Sequence, residues 1–95
     1  MIGPPDAILS GNIGVLLDDR EDDVQAEAMY RKAIELDPKQ TAARWNLSCI
    51  LDEQKNDTPG AIKQMEEYVR RGGFPGFDGK KRLAKLRAKL ETSTQ

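Results

Sequence analysis

The sequence predicts an all-α fold of antiparallel helix-turn-helix repeats closed by a capping helix. Three observations carry that reading. Glycine and proline divide the chain into five segments whose apolar residues recur at helical spacing. No segment sustains the period-2 alternation of a half-buried strand. A pattern from the first half also returns further along: Asn12-Ile13-Gly14 lies over Asn46-Leu47-Ser48, and Leu17 over Leu51, at an offset of 34.

The first helix is expected from about Pro5 to Asp19, with Pro5 in the first turn, where its missing N–H has no partner to lose. The second runs from about Asp23 to Leu36. Asp22 stands as N-cap with Gln25 three residues on, a capping-box pattern, and Asp37-Pro38 ends the helix because the ring disfavours helical backbone in the residue before it. A third helix is expected over about Lys39 to Gln54, stopping at Lys55-Asn56-Asp57. The fourth starts at Pro59 behind Thr58 or Asp57 and stops at Gly72-Gly73. Phe74-Pro75-Gly76-Phe77 reads as a connector, after which Asp78 caps the fifth helix, GKKRLAKLRAKLE.

Length and composition limit what these helices can do. The chain has 95 residues, one domain's worth, with 38% hydrophobic and only 5% aromatic residues, so the core rests on Leu, Ile, Val and Ala. There is no histidine, which removes the commonest general base and zinc ligand. No Gly-rich phosphate loop, Ser-His-Asp set or metal-binding pair is present, and a non-catalytic protein without cofactor or metal is expected. The acidic run Asp18 to Asp23 fails as a calcium loop: Arg20 occupies the third position and Asp23 the place of the required glycine. It reads better as a solvated turn whose last acids favour the positive end of the second helix. The single cysteine, Cys49, excludes an internal disulfide and reads as a small filler in the third helix. MIGPPDAILSG lacks the basic start and apolar run of a secretory signal, and nothing is long enough for a membrane span, so a cytoplasmic location is expected.

Net charge is −1, but the charges are sorted: residues 1–60 hold 12 acids against 6 bases, whereas from Arg70 onward 8 bases face 2 acids. An offset of 35 further relates Ala26 to Ala61. Gly14 and Ser48 are small where two helices of a hairpin would cross closely, and Ala26 and Ala61 are small on the second helix of each pair. Tyr30 and Met65 are expected to fill the space against the next pair.

A helix-turn-helix unit of this period resembles the tetratricopeptide repeat. The residues at the motif's positions are Ser10, Ile13, Gly14, Leu17, Ala26, Tyr30, Ala33 and Pro38 in the first unit. In the second they are Arg44, Leu47, Ser48, Leu51, Ala61, Met65 and Tyr68, with one extra residue around Thr58-Pro59-Gly60. The motif's tryptophan position holds Ser10 and Arg44, with Trp45 one place late. The resemblance implies a single domain over 1–95, a fragment of a right-handed superhelix: repeat 1 over 5–38, repeat 2 over 39–73 and a basic capping helix over 78–91. A generic helical bundle is the other fold these patterns permit.

In that family the first helix of each unit lines a concave surface that holds partner peptides. Carried over by position, this groove would show Ile8, Gly11, Asn12, Val15, Asp18 and Asp19 from the first unit. The second would add Ala42, Trp45, Asn46, Cys49, Asp52 and Glu53. An apolar floor with an acidic end implies a protein or peptide partner bearing apolar and basic residues, with Trp45 as anchor; the alternative is that Trp45 is core. One subgroup grips chaperone C-terminal carboxylates through Lys, Arg and Asn. Asn46 fits it, but Gly11 and Val15 stand where Lys and Asn are needed, and that specialisation is rejected.

The fifth helix places Leu83, Leu86 and Leu90 on one face, with Lys80, Lys81, Arg82, Lys85, Arg87 and Lys89 over much of the rest. This fits the solvating cap that ends a repeat array. Without interleaved aromatics it argues against nucleic acid as the partner. The functional expectation is an adaptor or scaffold displaying a groove. The alternative is a small structural subunit docked through the basic helix on an acidic or nucleic-acid surface. Two repeats are few for stability, so weak homo-oligomerisation is also expected.

Overall fold

The computed structural model describes residues 5–73 and 77–93. Among them five helices succeed one another: α1 (Pro5–Asp19), α2 (Asp23–Leu36), α3 (Thr41–Glu53), α4 (Thr58–Arg70) and α5 (Gly79–Ser93). The described residues contain no strand. The expected connector falls partly on residues 74–76, which lie outside the described residues.

Local chemistry sets the boundaries. Asp22 caps α2: its Oδ1 accepts from the Gln25 backbone N–H at 3.3 Å, and the Gln25 amide donates to Oδ2 at 2.8 Å. Asp57 and Asp78 cap α4 and α5 by accepting from the backbone N–H groups of Gly60 and Lys81, both at 3.0 Å. α1 ends in a Schellman motif, with Asp22 N–H donating to Leu17 O and Glu21 N–H to Asp18 O. Its left-handed residue is Glu21, at φ 62°, where glycine is usual. α3 begins two residues later than expected. Pro38 and Lys39 belong to a turn closed by Gln40 N–H on Asp37 O, while Asp37 Oδ1 accepts from Lys39 N–H.

The helices pair as α1 with α2 and α3 with α4. α2 packs on α3, α5 packs on α4, and α1 meets α3 only along a short edge. This repeat-like stacking gives an elongated body of 44 × 28 × 21 Å. The core runs through Ala26, Tyr30, Ala33, Leu47, Ile50, Leu51, Ala61, Met65 and Tyr68, and continues into α5 through Leu83 and Leu86. Ser10 and Arg44, at equivalent places in the two hairpins, are both buried. Arg44 donates from its two terminal nitrogens to Gln64 Oε1 at 3.2 Å and to the Pro38 carbonyl at 3.3 Å, while its Nε is buried without a hydrogen-bond partner among the described residues. Its stem supplies apolar packing along the way.

The crossing of each hairpin is made differently. In α1–α2 the ring of Tyr30 lies on Gly14: a β-carbon there would stand 2.7 Å from Tyr30 Cε1. Tyr30 therefore fills space within its own hairpin. In α3–α4 the buried Ser48 hydroxyl donates to the Ala61 carbonyl at 3.0 Å, beside Met65, which is also buried. The α4 terminus needs glycine, since Gly73 combines φ 62° with a β-carbon position 2.7 Å from the Tyr68 ring. Among the described residues no helix is long and apolar enough to cross a membrane.

Candidate functional site

α3 has two faces, and the site lies on the one turned from the core. Ala43, Arg44, Leu47, Ser48, Ile50 and Leu51 are buried. Ala42, Trp45, Asn46, Cys49, Asp52 and Glu53 recur at spacings of three and four and share the other side. α5 and the residue leading into it come alongside that second face. Trp45 packs against Tyr68 at 5.2 Å between ring centroids and meets Phe77 nearly edge-on at 5.3 Å. Both distances suit tilted aromatic pairs. Arg82 places its guanidinium carbon 5.6 Å from the Trp45 ring centre, within cation–π reach.

Two concavities share this tryptophan. One, of about 190 Å³, is lined by Ala42, Trp45, Asn46, Tyr68 and Phe77. The other, of about 280 Å³, is lined by Trp45, Asp78, Lys81, Arg82 and Lys85. Trp45 is half-buried, so it is at once a packing residue and a wall of both hollows.

The charges on α5 are divided. Lys89 donates to Asp52 Oδ1 at 2.6 Å, and Arg82 stands 3.8 Å from Asp52 and 3.9 Å from Glu53. Arg87 pairs with Glu66 of α4 at 3.0 Å. Lys80, Lys81 and Lys85 are exposed, and none of them forms an ion pair among the described residues. The expected acidic end of the groove is therefore answered in part from within the molecule. The Asp52 side chain keeps only 13% exposure between its two cations.

Cys49 lies deeper. Burial pushes its thiol up from the ordinary value, with Arg82 as the main opposing influence and Glu53 and Asp18 adding to the rise. The cation that α3 itself does not place near this thiol thus comes from α5. Asp18 is also raised, by burial first and then by Asp23, while the Tyr30 hydroxyl donating at 3.5 Å works against the rise.

Of the α1 residues assigned to the groove, Ile8, Asn12, Val15 and Asp19 are exposed and lie outside both concavities. The structure brings together Trp45, Asn46, Lys81, Arg82 and Lys85, and separately Asp52, Glu53, Arg82 and Lys89. Tyr68 and Phe77 are site residues that the sequence reading missed. Tyr68 reads as core, and its hydroxyl donates to the Phe77 carbonyl at 3.1 Å, holding that residue beside Trp45. An aromatic residue just ahead of the Asp78 cap was the one signal for it in the sequence. No known protein family matches the sequence, and no curated protein matches it as a relative.

Proposed function

We propose that the protein is a non-catalytic interaction module of tetratricopeptide type, an adaptor or scaffold that offers a helical groove to a peptide segment of another protein. One observation carries the reading: a half-buried tryptophan, flanked by Tyr68 and Phe77, walls a mostly apolar hollow beside Asn46. Hollows of this kind favour one apolar anchor fixed by a few polar groups. The lone thiol of Cys49 fits a cytoplasmic setting. The alternative, a structural subunit docked through α5, has less to stand on, since Arg82, Arg87 and Lys89 face acids of the same chain. Weak self-association through the uncovered face of α1 belongs to the same proposal.

Capture of partners from native extract tests it. Ala42 is exposed and lines the hollow, so Ala42→Arg fills the site without entering the core. Loss of the captured partner with Ala42→Arg, at an unchanged melting temperature, is the expected result. Retention with Ala42→Arg but loss with Lys80→Glu transfers the function to α5.

A further inference from the structure

Of the two hollows on Trp45, one is uncharged and the other is basic, in contrast to the acidic residues expected along the rest of the groove. We infer that this end of the groove takes an acidic peptide carrying one aromatic or large apolar residue, with the anchor against Trp45 and Phe77 and its flanking carboxylates at Lys81 and Lys85. The inference rests on the interaction-module reading and specifies its partner.

Charge complementarity is the argument. Lys81 and Lys85 are one helical turn apart on α5, both line the hollow that has Trp45 as its other wall, and neither has an ion-pair partner among the described residues. Arg82, between them in sequence, adds positive charge over the Trp45 ring. The one acid in that lining, Asp78, already accepts from the Lys81 backbone N–H as the α5 cap. The acids that suggested a basic partner lie elsewhere: Asp52 is held by Lys89 and Arg82, and Asp18 and Asp19 belong to the end of α1. The adjoining hollow is walled by Ala42, Tyr68 and Phe77 and suits an apolar anchor. Phe77 remains 54% exposed, so it has ring surface still to cover.

A nucleic acid fits less well. Arg82 already stands over the Trp45 ring, where a stacking base would lie, whereas an anchor in the adjoining hollow needs only the wall that Trp45 and Phe77 present to it. Asp52 and Glu53, beside Arg82, would also meet a continuous polyanion, whereas a peptide can place its acids at one end only.

The chain has a single tryptophan, so its fluorescence reports on this site directly. The probes are a short tryptophan-free peptide with one phenylalanine flanked by glutamates, its lysine-flanked counterpart, and oligothymidylate. The glutamate peptide is expected to shift Trp45 emission and to bind on the order of tenfold more tightly than the lysine peptide, a preference that shrinks with added salt. The Lys81→Glu/Lys85→Glu variant is expected to lose or reverse that preference. Both lysines are exposed and form no ion pair among the described residues, so its helicity and melting should match the wild type. Equal or tighter binding of the lysine peptide overturns the acidic preference and leaves the groove reading standing. Tighter binding of oligothymidylate replaces the peptide with nucleic acid. No change in Trp45 emission with any probe overturns both the inference and the groove reading.

Discussion

The two hairpins are built from the same pattern and finished differently. In α3–α4 the outward face is closed by α5, which contributes Leu83 and Leu86 to the core and Arg82, Arg87 and Lys89 to ion pairs with α3 and α4. In α1–α2 no helix plays that part among the described residues. α1 leaves Leu9 at 56% and Leu16 at 59% exposure, with Ile8 and Val15 also uncovered. The same period of sequence therefore produces a closed, aromatic, charge-laced unit at one end and an open apolar flank at the other. A repeat unit does not determine its own surroundings. The helix packed next to it decides which of its faces become core.

The largest expected effect tests whether α5 is integral to the closed half. Leu86 is buried, so Leu86→Ala should cost about 2–5 kcal/mol through lost burial and a residual cavity. Leu16→Ala, on the open flank, should stay within about 0.5 kcal/mol. Urea denaturation of the two variants measures the contrast. Similar midpoints would mean that α5 is only laid against the surface and that the two halves are equally unfinished.

The hairpin crossings provide the next test. Gly14→Leu should destabilise by about 1–3 kcal/mol through overpacking, because even a β-carbon collides with the Tyr30 ring. Leucine's better helix propensity does not offset that collision. Ser48→Ala, which removes one hydroxyl donated to Ala61 O, should cost about 0.5–1.5 kcal/mol. A raised midpoint for Gly14→Leu would show that the first crossing is looser than the second.

Much of this was legible in the sequence, for local reasons. α1 and α2 have the predicted bounds because Pro5, Asp22-Gln25 and Asp37-Pro38 act within one turn of where they stand. The all-α class followed from spacing alone. What could not be read was long-range. Lys89 meets Asp52 across 37 residues, and Phe77 meets Trp45 with its carbonyl held by the Tyr68 hydroxyl. The sorting of acids and bases along the chain pointed to such a meeting. Sorted charge suits a basic partner outside the molecule equally well, and only the placement of α5 separates the two. Helix spacing put Ile8, Asn12 and Val15 on one face of α1, but it carries no information on how far that face stands from Trp45.

Acid should act on the two halves in opposite directions. Asp18 of the first hairpin has its carboxyl raised above 3.8 by burial and by Asp23, so its charge weakens the fold at neutral pH. That penalty is relieved as pH falls through the raised value. Glu67 of α4 is lowered from 4.5 to about 2 by hydrogen bonds from Arg70, with Arg71 contributing. Its contribution is present above the ordinary value and is lost as pH falls from there towards about 2. Asp18→Asn should therefore raise the melting temperature at pH 7, and Glu67→Gln should lower it slightly, less so in high salt because the pair is exposed. The two differences should shrink on acidification. A lower melting temperature for Asp18→Asn at neutral pH would show that the Tyr30 hydrogen bond outweighs burial and repulsion at that site.

Weak self-association is the smallest effect expected, and the open flank is its cause. Leu9, Leu16, Ile8 and Val15 lie on one side of a 15-residue helix and keep water ordered over apolar surface. Asp18, Asp19, Asp22 and Asp23 stand at the end of the same helix and the start of the next, while Lys80, Lys81 and Lys85 of α5 form no ion pair among the described residues. Contact between the acidic turn of one copy and α5 of another is then favoured by charge, and a heterologous contact of that kind need not close. The attraction is modest, because half of the α5 cations face acids of their own chain, and exposed pairs contribute at most about 1 kcal/mol each. Sedimentation over a concentration series should show a small, reversible increase in mean mass that falls with salt. Leu9→Lys/Leu16→Lys should abolish the increase while leaving the unfolding midpoint close to wild type, since both side chains are already in water. A single monomeric species at every concentration and salt would mean that α5 closes enough of the core for the first hairpin to remain uncovered.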